Sequence, residues 1–332
     1  MLGSRCFCRL AILSSAQRRS EETLKPPLAS HFAIRRQRRT RAFSSDYFVH
    51  EGRRLHYETF GEGDRILVYL HGLLLDARLN RGIASALAER GNRVVLLELL
   101  GHGQSDKPTH ASAHRMDRYA DQVIALIDHL GAEQAVVGGV SLGADVSLLA
   151  AARAPERVKG LVIEMPVLEW ATPVAAIIFV PLLLGLRYAS RVATAVAAAA
   201  RRVPETPFDP LNSFVGVLAM KPNASAAVLH GLLVGPIAPT FEERAAIGVP
   251  ALVLAHRADM LHPLNDATNL ARQLPNARLV RARSPVELRL QPDRLSGEIA
   301  TFLDDVWSGR LVAKPAVRKG LAVVADHDGI TA

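Results

Sequence analysis

Val136-Val137-Gly138-Gly139-Val140-Ser141-Leu142-Gly143-Ala144 decides how the chain is read. An apolar, β-branched run leads into Gly139-Val140-Ser141-Leu142-Gly143, and Ala144 to Ala152 continues as a helix. G-x-S-x-G between a strand and a helix is the context of a nucleophile elbow, a sharp turn that holds a serine with its hydroxyl exposed. The glycines are required because a Cβ at either would strike the neighbouring strand or helix. The bland alternative is a tight turn whose Ser141 caps the helix.

Outward from the elbow, apolar runs and helical patterns alternate. Tyr47–His50 and Leu55–Phe60 flank a turn at residues 51–54 and predict a hairpin. Arg65–Leu70 and Arg93–Leu99 are near-continuous apolar runs, as expected of strands buried on both faces of a parallel sheet. Helices are expected near 79–90 and over 117–130, where Val123, Leu126, Ile127 and Leu130 recur at i, i+3, i+4 and i+7. Further strands are expected at Val158–Ile163, Pro250–Ala255 and Ala277–Ala282, with helices near 266–274 and 292–306. The alternation predicts an α/β fold, a mostly parallel central sheet with helices on both faces.

Between Met165 and about Ile247 the alternation stops in favour of helical stretches and prolines. Trp170–Leu186 carries no charge, but it holds two prolines and is shorter than the ~20 residues a spanning helix needs. No stable membrane span is expected. The segment reads as a lid whose apolar face covers a pocket, which favours a small apolar substrate. The expected layout is a basic leader over 1–45, an α/β core over 46–165 and 248–310, a helical lid over 166–247 and a tail over 311–332.

The net charge of +8 over 332 residues is misleading until it is located. The first 45 residues carry ten basic and two acidic residues, and the remainder is balanced. The folded part therefore has no global basic field, and no nucleic-acid partner is expected. Both cysteines, Cys6 and Cys8, lie in the leader, so the core has no disulfide or thiolate metal site. Three readings of the leader stay open: upstream sequence from a misassigned start, a mitochondrial transit peptide, or a disordered basic arm. The expected location is the cytoplasm, or the mitochondrial matrix if the leader is a transit peptide.

These pieces in this order resemble the α/β-hydrolase fold family over roughly residues 46–307. The resemblance rests on the His71-Gly72 strand end, Gly101-His102-Gly103-x-Ser105, the Gly139–Gly143 elbow and the late Asp259. It implies a serine nucleophile at Ser141, an acid at Asp259, a histidine base, and a lid after the sixth strand. It also implies oxyanion donors at the backbone N–H groups of Leu142 and Leu73. A seryl hydroxyl needs a base to take its proton, and the charge developing on the substrate oxygen needs such donors. His71 and His102 read as structural, and Glu164 and Glu169 are alternative acids. No cofactor and no metal is implied.

The chain departs from the family at the histidine. The family places it after the last strand, before the proline that opens the final helix; here that stretch is Ala282–Pro292, with Pro285 in its place. No histidine lies between His262 and His327. His262, three residues after Asp259, is the first candidate for a replacement base, ahead of His256, His102 and His230. The expected function is hydrolysis of an ester, thioester or lactone of an apolar small molecule. The alternative is a non-catalytic pseudo-hydrolase that binds such a molecule.

Overall fold

The computed structural model describes residues 43–256 and 260–313. The chain starts with a hairpin, β1 (Ser44–His50) and β2 (Arg53–Phe60). It continues through β3 (Ile66–Leu70), α1 (Arg81–Ala88), β4 (Arg93–Leu97), α2 (Met116–His129), β5 (Ala135–Val140), α3 (Leu142–Arg153) and β6 (Val158–Glu164). Five helices follow: α4 (Thr172–Tyr188), α5 (Ser190–Ala200), α6 (Asp209–Ala219), α7 (Pro222–Leu233) and α8 (Phe241–Ala246). The chain then returns through β7 (Ala251–Ala255), α9 (Leu264–Gln273), β8 (Ala277–Arg281), α10 (Glu287–Leu290) and α11 (Asp293–Trp307).

The eight strands form one sheet in the order β1-β2-β4-β3-β5-β6-β7-β8. β2 is antiparallel to both neighbours, and every pairing from β4 to β8 is parallel. The period-two alternation of strand side chains divides the core into two layers. Val68 and Leu70 of β3 pack with Val123, Leu126 and Ile127 of α2 and Val146 of α3. Leu67 and Tyr69 point the other way, with Ile83 and Leu87 of α1 and Ile299, Phe302 and Leu303 of α11. That two-sided burial is why the strand sequences are continuous apolar runs rather than alternating ones.

Three of the boundaries that differ from the sequence reading have a clear physical reason. Order starts earlier than Tyr47: Ser44, Ser45 and Asp46 pair with Thr59, Glu58 and Tyr57, and Phe43 stacks on Phe60 with ring centroids 5.0 Å apart. Ser44 and Ser45, assigned to the leader, thus belong to the sheet, and Phe43 packs on it; residues 1–42 lie outside the described residues, as does the tail from Lys314. The helix expected at 79–90 is preceded by a 3₁₀ turn, Ala77–Asn80, capped by the Asp76 carboxylate accepting from Arg78 N–H, so α1 starts at Arg81. The hairpin turn needs only Glu51 and Gly52, both at positive φ (48° and 71°), the backbone of a two-residue turn that matches strand twist.

α4 runs through Pro181, which removes the intrahelical bond to the Ile177 carbonyl. α4 and α5 are then bent by 97° at Ala189. Among the described residues no single helix is long and apolar enough to cross a membrane.

Candidate active site

β3 and β5 lie side by side, with Leu70 opposite Gly139, so the loops leaving their C-terminal ends meet at one edge of the sheet. The chain leaves β3 for β4 on one side and reaches β5 on the other. Such a switch in strand order opens a crevice beyond the carboxyl ends, where ligands of parallel α/β sheets bind.

Ser141 sits at the tip of the β5–α3 turn with φ 55° and ψ −115°, a backbone strained for a residue with a side chain. Its N–H donates to the Glu164 carbonyl (2.9 Å), and its carbonyl accepts from Ala144 (2.8 Å) and Asp145 (3.2 Å). The two glycines are dictated by space: a Cβ on Gly139 would lie 2.8 Å from Leu70 O, and one on Gly143 would lie 2.7 Å from Leu70 Cβ. The Ser141 side chain makes no capping bond to α3, against the reading of a helix cap. Its hydroxyl instead lies 2.9 Å from His262 Nε2.

His262 stands on the loop between β7 and α9, immediately before Pro263, which caps α9. With the ring proton on Nδ1, Nε2 accepts from the Ser141 hydroxyl, the arrangement a general base requires. Asp259, the acid expected on the same loop, lies outside the described residues. Leu142 opens α3, so its N–H is one of the first-turn amides for which the helix has no acceptor. Leu73 and Leu142 line one cavity with Ser141. Leu74, next to Leu73, is held at φ 61°, the conformation that turns the β3 loop at this point.

The other candidate histidines and acids lie in other settings. His71 Nδ1 donates to the Gly72 carbonyl (2.8 Å) and its Nε2 accepts from Leu99 N–H (3.1 Å). Burial holds its pKa below the ordinary imidazole value, which suits a neutral ring bracing two loops. His102 is buried against His71 and donates through Nδ1 to the Leu100 carbonyl. His256 lies beside Met165, Nε2 2.9 Å from the thioether sulfur. His230 falls in the last turn of α7. Glu164 is bonded to Tyr69 Oη (2.7 Å) and ion-paired with Arg289, and Glu169 is ion-paired with Arg244. Both alternative acids are therefore committed to cationic partners.

The cavity beside Ser141 measures about 110 Å³, and its walls are apolar apart from Ser141, Asp145 and Thr172. Helices from the insert supply much of the wall: Ala175, Ala176 and Phe179 from α4 and Leu229, Leu232 and Leu233 from α7. Asp145 escaped the sequence reading, where the only signal was one carboxylate in an otherwise small and apolar helix. Burial pushes its pKa well above the usual carboxylate range, although it accepts from Val167 N–H (3.1 Å). Asp266, also missed, accepts from the N–H groups of Leu168, Trp170 and Ala171. It ties the entry of the insert to the helix that follows His262.

The sequence profile of the α/β hydrolase fold matches residues 65–284. The chain belongs to that family. A haloalkane dehalogenase of Mycolicibacterium paratuberculosis is 32% identical over 126 residues, 37% of this chain and 42% of that protein. A dihydrolipoyllysine-residue acetyltransferase component of the acetoin cleaving system of Pseudomonas putida is 40% identical over 108 residues, 32% of this chain and 28% of that protein. These matches thus span less than half the length of the curated relatives. Among solved structures, an enol-lactonase from Burkholderia xenovorans LB400 superposes with a TM-score of 0.64 at 21% identity, over 78% of this chain and all of that one. A thermophilic esterase from Thermogutta terrifontis gives 0.64 at 22%, over 79% and 99%. At such identities the superpositions establish the hydrolase fold alone.

The β8–α10 loop, where the family carries its histidine, holds Pro285 in this α/β-hydrolase chain. Beyond it, Arg289 of α10 turns inward onto Glu164 at the end of β6 and onto Asn80 Oδ1 (2.8 Å).

Proposed function

We propose that this chain hydrolyses an ester, thioester or lactone of a small apolar compound, with a base delivered by the β7–α9 loop instead of the β8 loop. The observation that carries the reading is the 2.9 Å contact between Ser141 Oγ and His262 Nε2 beside an apolar cavity. Ser141 Oγ attacks the acyl carbon while His262 takes its proton. The oxyanion forms against the N–H groups of Leu142 and Leu73. The imidazolium then returns the proton to the leaving oxygen or sulfur, and water activated by the same ring releases the acyl group. Asp259, by its place in the sequence, is the residue proposed to hold the tautomer. The insert over 166–247 is proposed as the lid that keeps water from the acyl-enzyme.

The structural relatives support this class, since they include a lactonase and an esterase. A hydroxyl nucleophile paired with an imidazole also suits acyl transfer. The second reading, a binder without turnover, is favoured by Pro285 standing where the family has its histidine. Hydrolysis of p-nitrophenyl esters of graded acyl length separates the two. Turnover by the natural chain that Ser141→Ala abolishes supports the hydrolase; equal rates for the two proteins leave the binder.

A further inference from the structure

α4 has two apolar sides. Ala175, Ala176 and Phe179 face the cavity, whereas Ile177, Leu184 and Tyr188 face solvent, Ile177 with 73% and Tyr188 with 81% of its surface accessible. The exposed apolar surface continues past the bend onto α5 through Val192 (66%) and Val196. A run of large aliphatic side chains left in water on two successive helices marks an interaction site.

The charge carried by residues 170–204 has one sign. Arg187 and Arg191 flank the bend and Arg201 and Arg202 follow α5, all four exposed. No aspartate or glutamate occurs between Glu169 and Glu205. Those two are taken by Arg244 and Arg78. Among the described residues none of the four arginines forms an ion pair.

We propose that the α4–α5 elbow docks this protein on an anionic lipid surface. The exposed aliphatic and tyrosine side chains enter the acyl boundary while the arginines meet the phosphates. α4 has 17 residues, or ~25 Å at 1.5 Å per residue, too short for a ~30 Å hydrocarbon core. The 97° bend turns α5 away from the axis of α4, so the pair lies in the interface rather than crossing it. A second copy fits this surface poorly. A two-fold contact sets a patch against itself, so eight arginines would share the interface with no aspartate or glutamate from residues 170–204 to pair with them. α4 then has lipid on one side and the cavity beside Ser141 on the other, a short route for an apolar compound dissolved in the membrane. The proposal stands whether or not Ser141 turns over substrate.

Flotation of the full chain with vesicles tests it, using phosphatidylcholine alone or with about one-third phosphatidylglycerol. The natural chain is expected to float with the anionic vesicles and to be released as salt is raised. Arg187→Glu with Arg191→Glu should weaken partitioning by about fivefold or more per arginine. Ile177→Ser with Tyr188→Ser should weaken it at every salt concentration, with thermal midpoints unchanged in both variants. Failure to float overturns the proposal. So does flotation that survives both double variants, because the basic residues before 43 would then carry the binding. Dimerisation in sedimentation velocity that Ile177→Ser with Tyr188→Ser abolishes, without vesicle binding, assigns the surface to a second copy and overturns it too.

Discussion

Ser141 owes its position to what its neighbours lack. With no side chain at 139 or 143, the turn presses against the end of β3, and the serine is forced to φ 55° with its hydroxyl facing the cavity. Gly143→Ala would place a methyl 2.7–2.9 Å from Leu70 and the His71 carbonyl, so the turn must open. The expected result is a loss of about 1–3 kcal/mol in stability, measured by denaturant unfolding, together with lost ester turnover. For the chemistry, Ser141→Ala and His262→Gln should each lower kcat by roughly 10⁴–10⁶. Because the two side chains act as a unit, the double variant should be little worse than either single one. An additive loss in the double variant would show that His262 does not act through Ser141.

At the scale of elements, the β8–α10 segment supplies a buried ion pair to the core. Arg289 enters from α10 and pairs with Glu164, which also accepts from Tyr69 Oη. All three are buried, and burial with the nearby Glu164 carboxylate pushes the Tyr69 pKa well above its ordinary value. Arg289→Met leaves the Glu164 charge without its cation, at an expected cost of about 3–5 kcal/mol. Pairing it with Glu164→Gln should recover much of that loss, which urea unfolding of the single and double variants would measure.

A second buried carboxylate, Glu98 just past β4, makes stability depend on pH. Burial alone would raise its pKa, but His56 Nδ1 (2.9 Å) and the N–H groups of Gln104 and Ala77 outweigh it, lowering the value from 4.5 to about 2. A depressed carboxylate contributes stability that is present above the unfolded value and disappears as pH falls through the folded one. Glu98 therefore contributes about 3 kcal/mol above pH 4.5, lost between roughly pH 4.5 and 2. Glu98→Gln should flatten that part of the acid-unfolding curve.

For the whole molecule, the cavity is what joins sheet and insert. Its size, about 110 Å³, is of the order of the ~150 Å³ apolar cavity that holds one benzene. Short and medium acyl chains should therefore be preferred, with rates falling for longer ones. Phe179→Ala enlarges the wall from α4 and should move the optimum to longer chains in the p-nitrophenyl ester series; an unchanged profile would place the acyl group elsewhere. At the other end of the sheet, β1 sets where the fold starts. A chain beginning at Tyr47 lacks the Phe43–Phe60 stack and three strand pairs, and should melt several degrees below one beginning at Phe43.

The local pattern alone determined the doubly covered sheet and the elbow. Strands buried on both faces must be continuous apolar runs, and a serine between two obligatory glycines at a strand–helix junction has few other uses. Those signals reside in neighbouring residues, so they need no tertiary context. Only the tertiary structure decided where the hydroxyl finds its imidazole. Ser141 and His262 are 121 residues apart and meet because parallel pairing sets the ends of β5 and β7 at one edge of the sheet. The same holds for Arg289 and Glu164, for Asp145 beneath the insert, and for the arginine-rimmed outer face of α4. A single polar residue has no periodicity, and its partner is chosen by packing between distant elements.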